Sequence, residues 1–330
     1  MQRSPNGSRL MLDPRDLRDF MDGFYGYGNP QAALWFIGME EGGGNSLDEV
    51  GERIAIWDGL GRPECADLAV YHDRLSAGFP AIAAFFAPDG SARIQSTWRG
   101  LIRILLKAKG LTPTREKVRD YQVSKWGRSD GEARLLNLLP LPAPSTSHWP
   151  YSAIEALPEL ESRQKYLQAW APRRLAVIRR TIAAFRPRDV VMYGATYNDL
   201  WEELAGGRME QQQQDAKVRF RSDGTTRYWA IGHVSRGSNA TFDAIGQSVG
   251  LSDPAGIPYS SVYEFLCAGA RLAWGFGPDE AIGGFLELYP YADEASLRRE
   301  LEEDFARNGQ DCEGWTPGPV PFQDAARAEN

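Results

Sequence analysis

Segments 35–45 (WFIGMEEGGGN), 135–144 (LLNLLPLPAP) and 228–240 (YWAIGHVSRGSNA) each end a strand-like apolar run in a polar residue. The first of these runs is contiguous rather than alternating, as in a strand covered on both faces inside a parallel sheet. In an open α/β sheet the strand ends at one edge share a crevice, so Glu40, Asn137 and His233 are expected to converge on one small ligand. The expected fold class is α/β: a three-layer α/β/α sandwich with a mostly parallel central sheet.

The punctuation between these runs divides the chain further. Asp13-Pro14 suits a helix start and Gly28-Asn29-Pro30 a stop, so one helix precedes the first strand. The stretch 46–130 is long for a crossover and reads as an insertion with helices near 47–57 and 97–109, the second amphipathic through Trp98, Leu101, Ile102, Leu105 and Leu106. After the second strand, Pro140, Pro142 and Pro144 forbid both a continuing central strand and a helix. A helix over 159–185, interrupted near Pro172, then leads to a short strand over 188–194. Asp223-Gly224 marks a hairpin whose second arm delivers His233, with a helix from about Thr241. These elements make up an α/β domain over 1–250. A C-terminal helical extension over 251–330 is expected to carry helices near 260–275 and 294–308 and a frayed acidic tail, and it is the candidate surface for a protein partner.

With 330 residues, 42% hydrophobic and 25% charged, the chain has ordinary globular composition. It carries no apolar run of membrane-spanning length and no secretory leader pattern, so the expected location is cytoplasmic. Cys65, Cys267 and Cys312 form neither a CxxC pair nor a Cys/His cluster, so no metal, no iron–sulfur cluster and no other cofactor is expected. The net charge of −7 counts against nonspecific polyanion binding. Basic residues nevertheless crowd two regions, 93–128 and 163–188. They are either solvated helix faces or a phosphate-binding rim.

The candidate site residues carry two readings each. The turn Gly38-Met39-Glu40-Glu41-Gly42-Gly43-Gly44 brings backbone close to a ligand, but it fits no dinucleotide fingerprint, no Walker lysine follows, and paired glutamates would repel a pyrophosphate. It therefore offers a carboxylate for water or for a cationic transition state, or else it is a tight turn with exposed acids. Asn137 in an apolar run is either a cap or an amide whose donors and acceptor match a pyrimidine edge. His233 is structural or catalytic. Ser235, Arg236 and Ser238 precede a helix, where an anion such as DNA phosphate would be held.

In chain order these pieces resemble the uracil-DNA glycosylase superfamily. Gly38-Met39-Glu40-Glu41-Gly42 is similar to its first motif, which reads G-Q-D-P-Y, G-E-A-P-G or G-M-N-P-G in different branches. Asn137 with its proline-rich sequel looks like the base-reading asparagine. Segment 187–194 (PRDVVMYG) matches P-x-x-V-V-x-x-G, and His233-Val234-Ser235 is similar to H-P-S. Glu41 and Val234 depart from the motif prolines, and the cluster cysteines are absent. The resemblance spans roughly 20–250. It implies hydrolysis of an N-glycosidic bond of uracil or a related damaged base in single- or double-stranded DNA, after base flipping. Glu40 would position water, Gly38, Met39 and Asn137 would bind the base, His233 would stabilise the leaving base, and Ser235, Arg236 and Ser238 would grip phosphate. The other expectation is a noncatalytic nucleobase or nucleic-acid binder with the same fold. A third is an α/β enzyme acting on a free nucleoside. Trp57, Trp149 and Tyr151 are the candidates for an aromatic stacked on the base.

Overall fold

The structure, a computed structural model, describes residues 12–250 apart from 89, 146, 195–196 and 212–217. The helices expected near 260–275 and 294–308, Cys267 and Cys312 lie outside the described residues.

Helix α1 (Pro14–Gly23) starts as its sequence requires: Asp13 accepts from the Arg15 amide, proline occupies the first turn, and Leu17, Phe20 and Met21 form the buried face. Strands β1 (Gly26–Gly28) and β2 (Leu34–Gly38) follow. The insertion contains α2 (Leu47–Gly59), the two-residue β3 (Cys65–Ala66), α3 (Leu68–Ser76), a 3-10 turn over Pro80–Phe85, α4 (Ser96–Ala108) and α5 (Arg115–Ser124). Next come β4 (Ala133–Asn137), α6 (Arg163–Phe185), β5 (Asp189–Tyr193) and α7 (Asn198–Leu204). The chain then forms β6 (Glu210–Gln211), β7 (Arg219–Ser222), β8 (Arg227–Ile231) and α8 (Asn239–Gly250).

The fold is mixed α/β with one eight-stranded sheet in the order β3-β1-β4-β2-β5-β8-β7-β6. The four contiguous strands β4-β2-β5-β8 are mutually parallel. The flanks are not uniform, because β1 runs antiparallel to β4 and the β6-β7-β8 meander is antiparallel. Four of the seven pairings are thus parallel. The β7–β8 hairpin turns at Asp223-Gly224 as its sequence indicates, with Asp223 accepting from the Thr225 and Thr226 amides.

Two local features depart from the sequence reading. The first helix ends at Gly23, ahead of the Gly28-Asn29-Pro30 stop, and Gly26–Gly28 forms β1. It is a strand because a Cβ on Gly26 would stand 2.0 Å from the Leu135 carbonyl oxygen, so only glycine lets the two backbones approach. Helix α6 is not interrupted at Pro172 but runs through it. The cost of an interior proline, about 3 kcal/mol, is met by the buried face of Trp170, Ala171, Arg174 and Leu175 around it.

Alternate residues of β2 pack in opposite directions, as the pleat demands. Phe36 meets Trp126 of the insertion, whereas Trp35 meets Phe185 at the end of α6. On that second face Arg134 lies 4.4 Å over the Trp35 ring. Helix α8 is tied to α4 by the Arg103–Asp243 pair at 2.7 Å. Their axes approach closely because Gly100 leaves room for the Phe242 ring, 2.9 Å from where a Cβ would be.

Candidate functional site

The ladder register aligns the ends of the parallel strands. Asn137 pairs with Gly38, Ile37 with Met192 and Tyr193 with Ile231, so Asn137, Gly38, Tyr193 and Ile231 occupy one rung at the carboxyl edge. Three strand spacings put the outer two roughly 14 Å apart. The strand order reverses between β4-β2 and β2-β5, which makes Gly38 and Tyr193 the flanks of the topological switch point. Glu40 follows Gly38 by two residues and His233 follows Ile231 by two. All three sequence-derived candidates therefore leave the sheet at the same edge.

Beyond the sheet the two chains stay zipped together: the Leu138 amide donates to the Gly38 carbonyl, Leu139 to Met39 and Ala143 to Glu41. The proline-rich stretch is thereby held extended against the first turn. Arg174, from the basic region 163–188, belongs neither to a solvated face nor to a rim but is internal. It donates to the carbonyls of Asn137, Leu138, Met21 and Phe24 and lies 3.4 Å over the Tyr25 ring, with burial lowering its pKa. One guanidinium thus clamps the end of β4 to the end of α1.

The two adjacent glutamates point to different partners. Glu40 accepts from Nη2 of Arg163, the first residue of α6, at 2.7 and 2.6 Å through its two oxygens. Its side chain is 12% exposed, and burial raises its pKa even though Arg163 pulls the other way. Arg163 also lies beside the Tyr197 hydroxyl and 5.9 Å from the Trp149 ring. Glu41 instead accepts from the Tyr27 hydroxyl at 3.0 and 2.9 Å and from Arg53 Nη1 at 3.0 Å, with His72 Nε2 at 3.6 Å. Burial opposes its charge, but Arg53, His72 and Tyr27 bring its carboxyl down to about 2. His72 bonds the Leu68 carbonyl through Nδ1 and sits among the rings of Tyr27, Tyr71, Phe86 and Trp98. Sequence reasoning missed this cluster, since its members come from β1, the first turn, α2 and α3. Only the Glu49–Arg53 pair, four residues apart on α2, carried a local signal.

The glycines of the turn serve the protein's own groups. A Cβ at Gly43 would meet Arg53 Nη2 at 2.5 Å, and one at Gly44 the Pro142 carbonyl oxygen at 2.5 Å. Glu49 accepts from the amides of Gly44 and Asn45, which fixes the turn to α2. Gly42 alone of the three faces open space. Gly38 and Met39 are buried, and the Tyr193 ring lies against Gly38.

Asn137 is half-buried, and its carboxamide makes no hydrogen bond among the described residues. His233 is exposed and precedes a 3-10 turn, Val234–Arg236. The Ser235 amide, which can only donate, points at His233 Nδ1 (3.3 Å) with the Ser235 hydroxyl at 2.7 Å. In the neutral ring the proton then sits on Nε2. The Ser238 hydroxyl accepts from the Thr241 amide at 3.1 Å and caps α8. Of the aromatic candidates, Trp57 and Tyr151 are core residues bonded to the carbonyls of Pro63 and Pro142. Trp149 is half-buried beside Arg163.

The basic regions divide. Arg103, Lys109, Arg128 and Lys165 are paired with acids, whereas Arg115, Lys117, Arg173 and Arg180 are exposed without an ion pair among the described residues. Two surface hollows of about 470 and 420 Å³ lie around Arg208 and share no residue with the strand-end site. Among the described residues no group of three or more His, Cys, Asp or Glu side chains could hold a metal, and no helix is long and apolar enough to cross a membrane. Comparisons with family models, curated proteins and solved structures find no match to this chain.

Proposed function

We propose that this chain hydrolyses the N-glycosidic bond of uracil or a related damaged base in DNA, the activity its motif order resembles. The observation that carries the reading is the common rung. Four segments that resemble glycosylase motifs end as neighbouring parallel strands, with Asn137, Gly38, Tyr193 and Ile231 level at one edge. The finer architecture belongs to the same proposal. Right-handed crossovers leave the insertion on one face of the sheet and α6 with α7 on the other, in three layers. In the reaction Asn137 reads the edge of the flipped base. His233 donates from Nε2 to the base oxygen as negative charge develops. Glu40, its pKa raised by burial, positions the attacking water and offsets positive charge on the sugar. Ser235, Arg236 and the exposed arginines and lysines contact phosphate and make affinity salt-dependent. The proposed setting is cytoplasmic.

The test is incubation with single- and double-stranded DNA containing uracil, hypoxanthine, xanthine or a thymine mismatch, followed by detection of abasic sites. Silence on every substrate removes the reading. One observation favours the second reading, a noncatalytic nucleobase binder: both Glu40 oxygens are already occupied by Arg163. Nucleobase binding lost on Asn137→Ala, with no turnover in the parent, supports the binder. Base release that Glu40→Gln abolishes refutes it.

A further inference from the structure

Side chains in register on neighbouring strands stand on the same face of a sheet, and residues two apart on one strand share that face. Tyr27 pairs with Leu135, Leu135 with Phe36 and Phe36 with Val191. Two residues on, Asn137, the bare Gly38 and Tyr193 therefore continue the face on which Tyr27 stands. Glu41 folds back to that face, because both its oxygens accept from the Tyr27 hydroxyl. Glu40 turns to the start of α6. The carboxylate nearest the Asn137 amide's side of the sheet is thus Glu41.

Tyr193 completes the set. Its ring reaches across Gly38 toward β4: a Cβ on Gly38 would stand 2.4 Å from the Tyr193 hydroxyl and 2.5 Å from Cζ. Its hydroxyl makes no hydrogen bond among the described residues. Burial, with the Glu41 charge adding to it, pushes the phenol up, so it is a hydrogen-bond donor at any physiological pH. Glu41 stays ionised and only accepts. Its Oε1 is shared between Arg53 and Tyr27, whereas Oε2 has the Tyr27 hydroxyl alone and retains acceptor capacity.

We infer that Tyr193 and Glu41 are specificity-determining residues of the strand-end site at Asn137. Tyr193 donates to a ring carbonyl, and Glu41 accepts from an adjacent ring N–H, of a neutral heterocycle that presents the two side by side. This rests on the proposed function for the strand-end site's identity as a base site. It departs from it in giving the base-facing carboxylate to Glu41 and leaving Glu40 to the water. Cyclic amides and imides such as uracil and hypoxanthine fit, and a base methylated at that ring nitrogen does not.

The experiment measures binding of 1-methyluracil, whose remaining ring N–H is at N3, of hypoxanthine, and of 1,3-dimethyluracil as the base methylated at that nitrogen, to the full chain by calorimetry or NMR, beside cleavage of uracil-containing DNA. Tyr193→Phe keeps the ring and should weaken 1-methyluracil roughly fivefold to tenfold; Glu41→Gln should weaken it tenfold or more, as for loss of a neutral and a charge-assisted hydrogen bond. 1,3-Dimethyluracil should bind poorly to the parent and be insensitive to Glu41→Gln. Glu40→Gln should abolish cleavage yet bind 1-methyluracil. If Glu41→Gln does not fold, Tyr193→Phe and 1,3-dimethyluracil still decide. Unchanged 1-methyluracil affinity in Tyr193→Phe, or equal binding of 1,3-dimethyluracil, overturns the inference while parental cleavage leaves the function standing. Selective 1-methyluracil binding lost in these variants, without cleavage by the parent, supports the inference and refutes the hydrolase. No base binding by the parent overturns the inference, and no cleavage beside it overturns both.

Discussion

Glu41→Gln is the perturbation for which the structure supplies a magnitude. The carboxylate sits between Arg53 and Tyr27, and its pKa falls from an ordinary 4.5 to about 2. At about 1.4 kcal/mol per pH unit, that difference stabilises the folded state by about 3 kcal/mol. Because the folded carboxyl is the stronger acid, the contribution is whole above about pH 5, shrinks as pH falls from 4.5 toward 2, and is gone below that. Glutamine keeps the shape and an acceptor for Tyr27 but removes the charge facing Arg53, which retains only Glu49 at 3.0 Å. Urea unfolding of parent and variant at pH 7, 5.5 and 3.5 should show a gap of about 3 kcal/mol at the first two and clearly less at the third. Comparing the two proteins cancels carboxylates outside this cluster, such as Asp67, whose pKa is also lowered. A gap constant from pH 7 to 3.5, or one under about 0.5 kcal/mol throughout, would refute the reasoning.

Gly38→Ala should cost about 1–3 kcal/mol by overpacking against Tyr193 and abolish uracil binding, and Tyr193→Leu in the same chain should restore part of the stability but not the binding. Arg174→Met leaves four carbonyls without their donor, and thermal unfolding should fall by roughly 6–12 °C for a loss of about 3 kcal/mol. If Glu40 acts as an ionised base, kcat/KM on uracil-containing DNA should decline at acid pH with a midpoint above 4.5, since burial favours its neutral form; a midpoint at or below that value would tell against it. Cleavage that is indifferent to Arg115→Ala and Arg173→Ala and to salt between 50 and 200 mM would argue against a DNA substrate held through phosphates.

Local chemistry made much of the framework legible. Contiguous apolar runs such as LWFIG and DVVMY became strands buried in the sheet, Asp223-Gly224 became the hairpin turn, and Asp13-Pro14 became a helix start. Each depends on residues within a few positions, where backbone preference and periodicity act. The strand ends carrying Glu40, Asn137 and His233 could be read in the same way, because an apolar run that stops at a polar residue marks its own edge.

What the residues could not announce was direction and partnership. Glu40 and Glu41 are adjacent and chemically identical in sequence, yet one is bound by Arg163 from α6 and the other by Arg53, Tyr27 and His72. Their roles are set by the pleat of β2 and by groups over a hundred residues away in one case. Arg174 looked like one more surface arginine beside Arg173, but the roughly 100° between adjacent helical positions separates solvent from a cage of carbonyls. Chain-local patterns determine where elements begin and end; which side chains share a face, and which charges are buried together, exists only once the sheet has closed and brought distant segments within hydrogen-bonding reach.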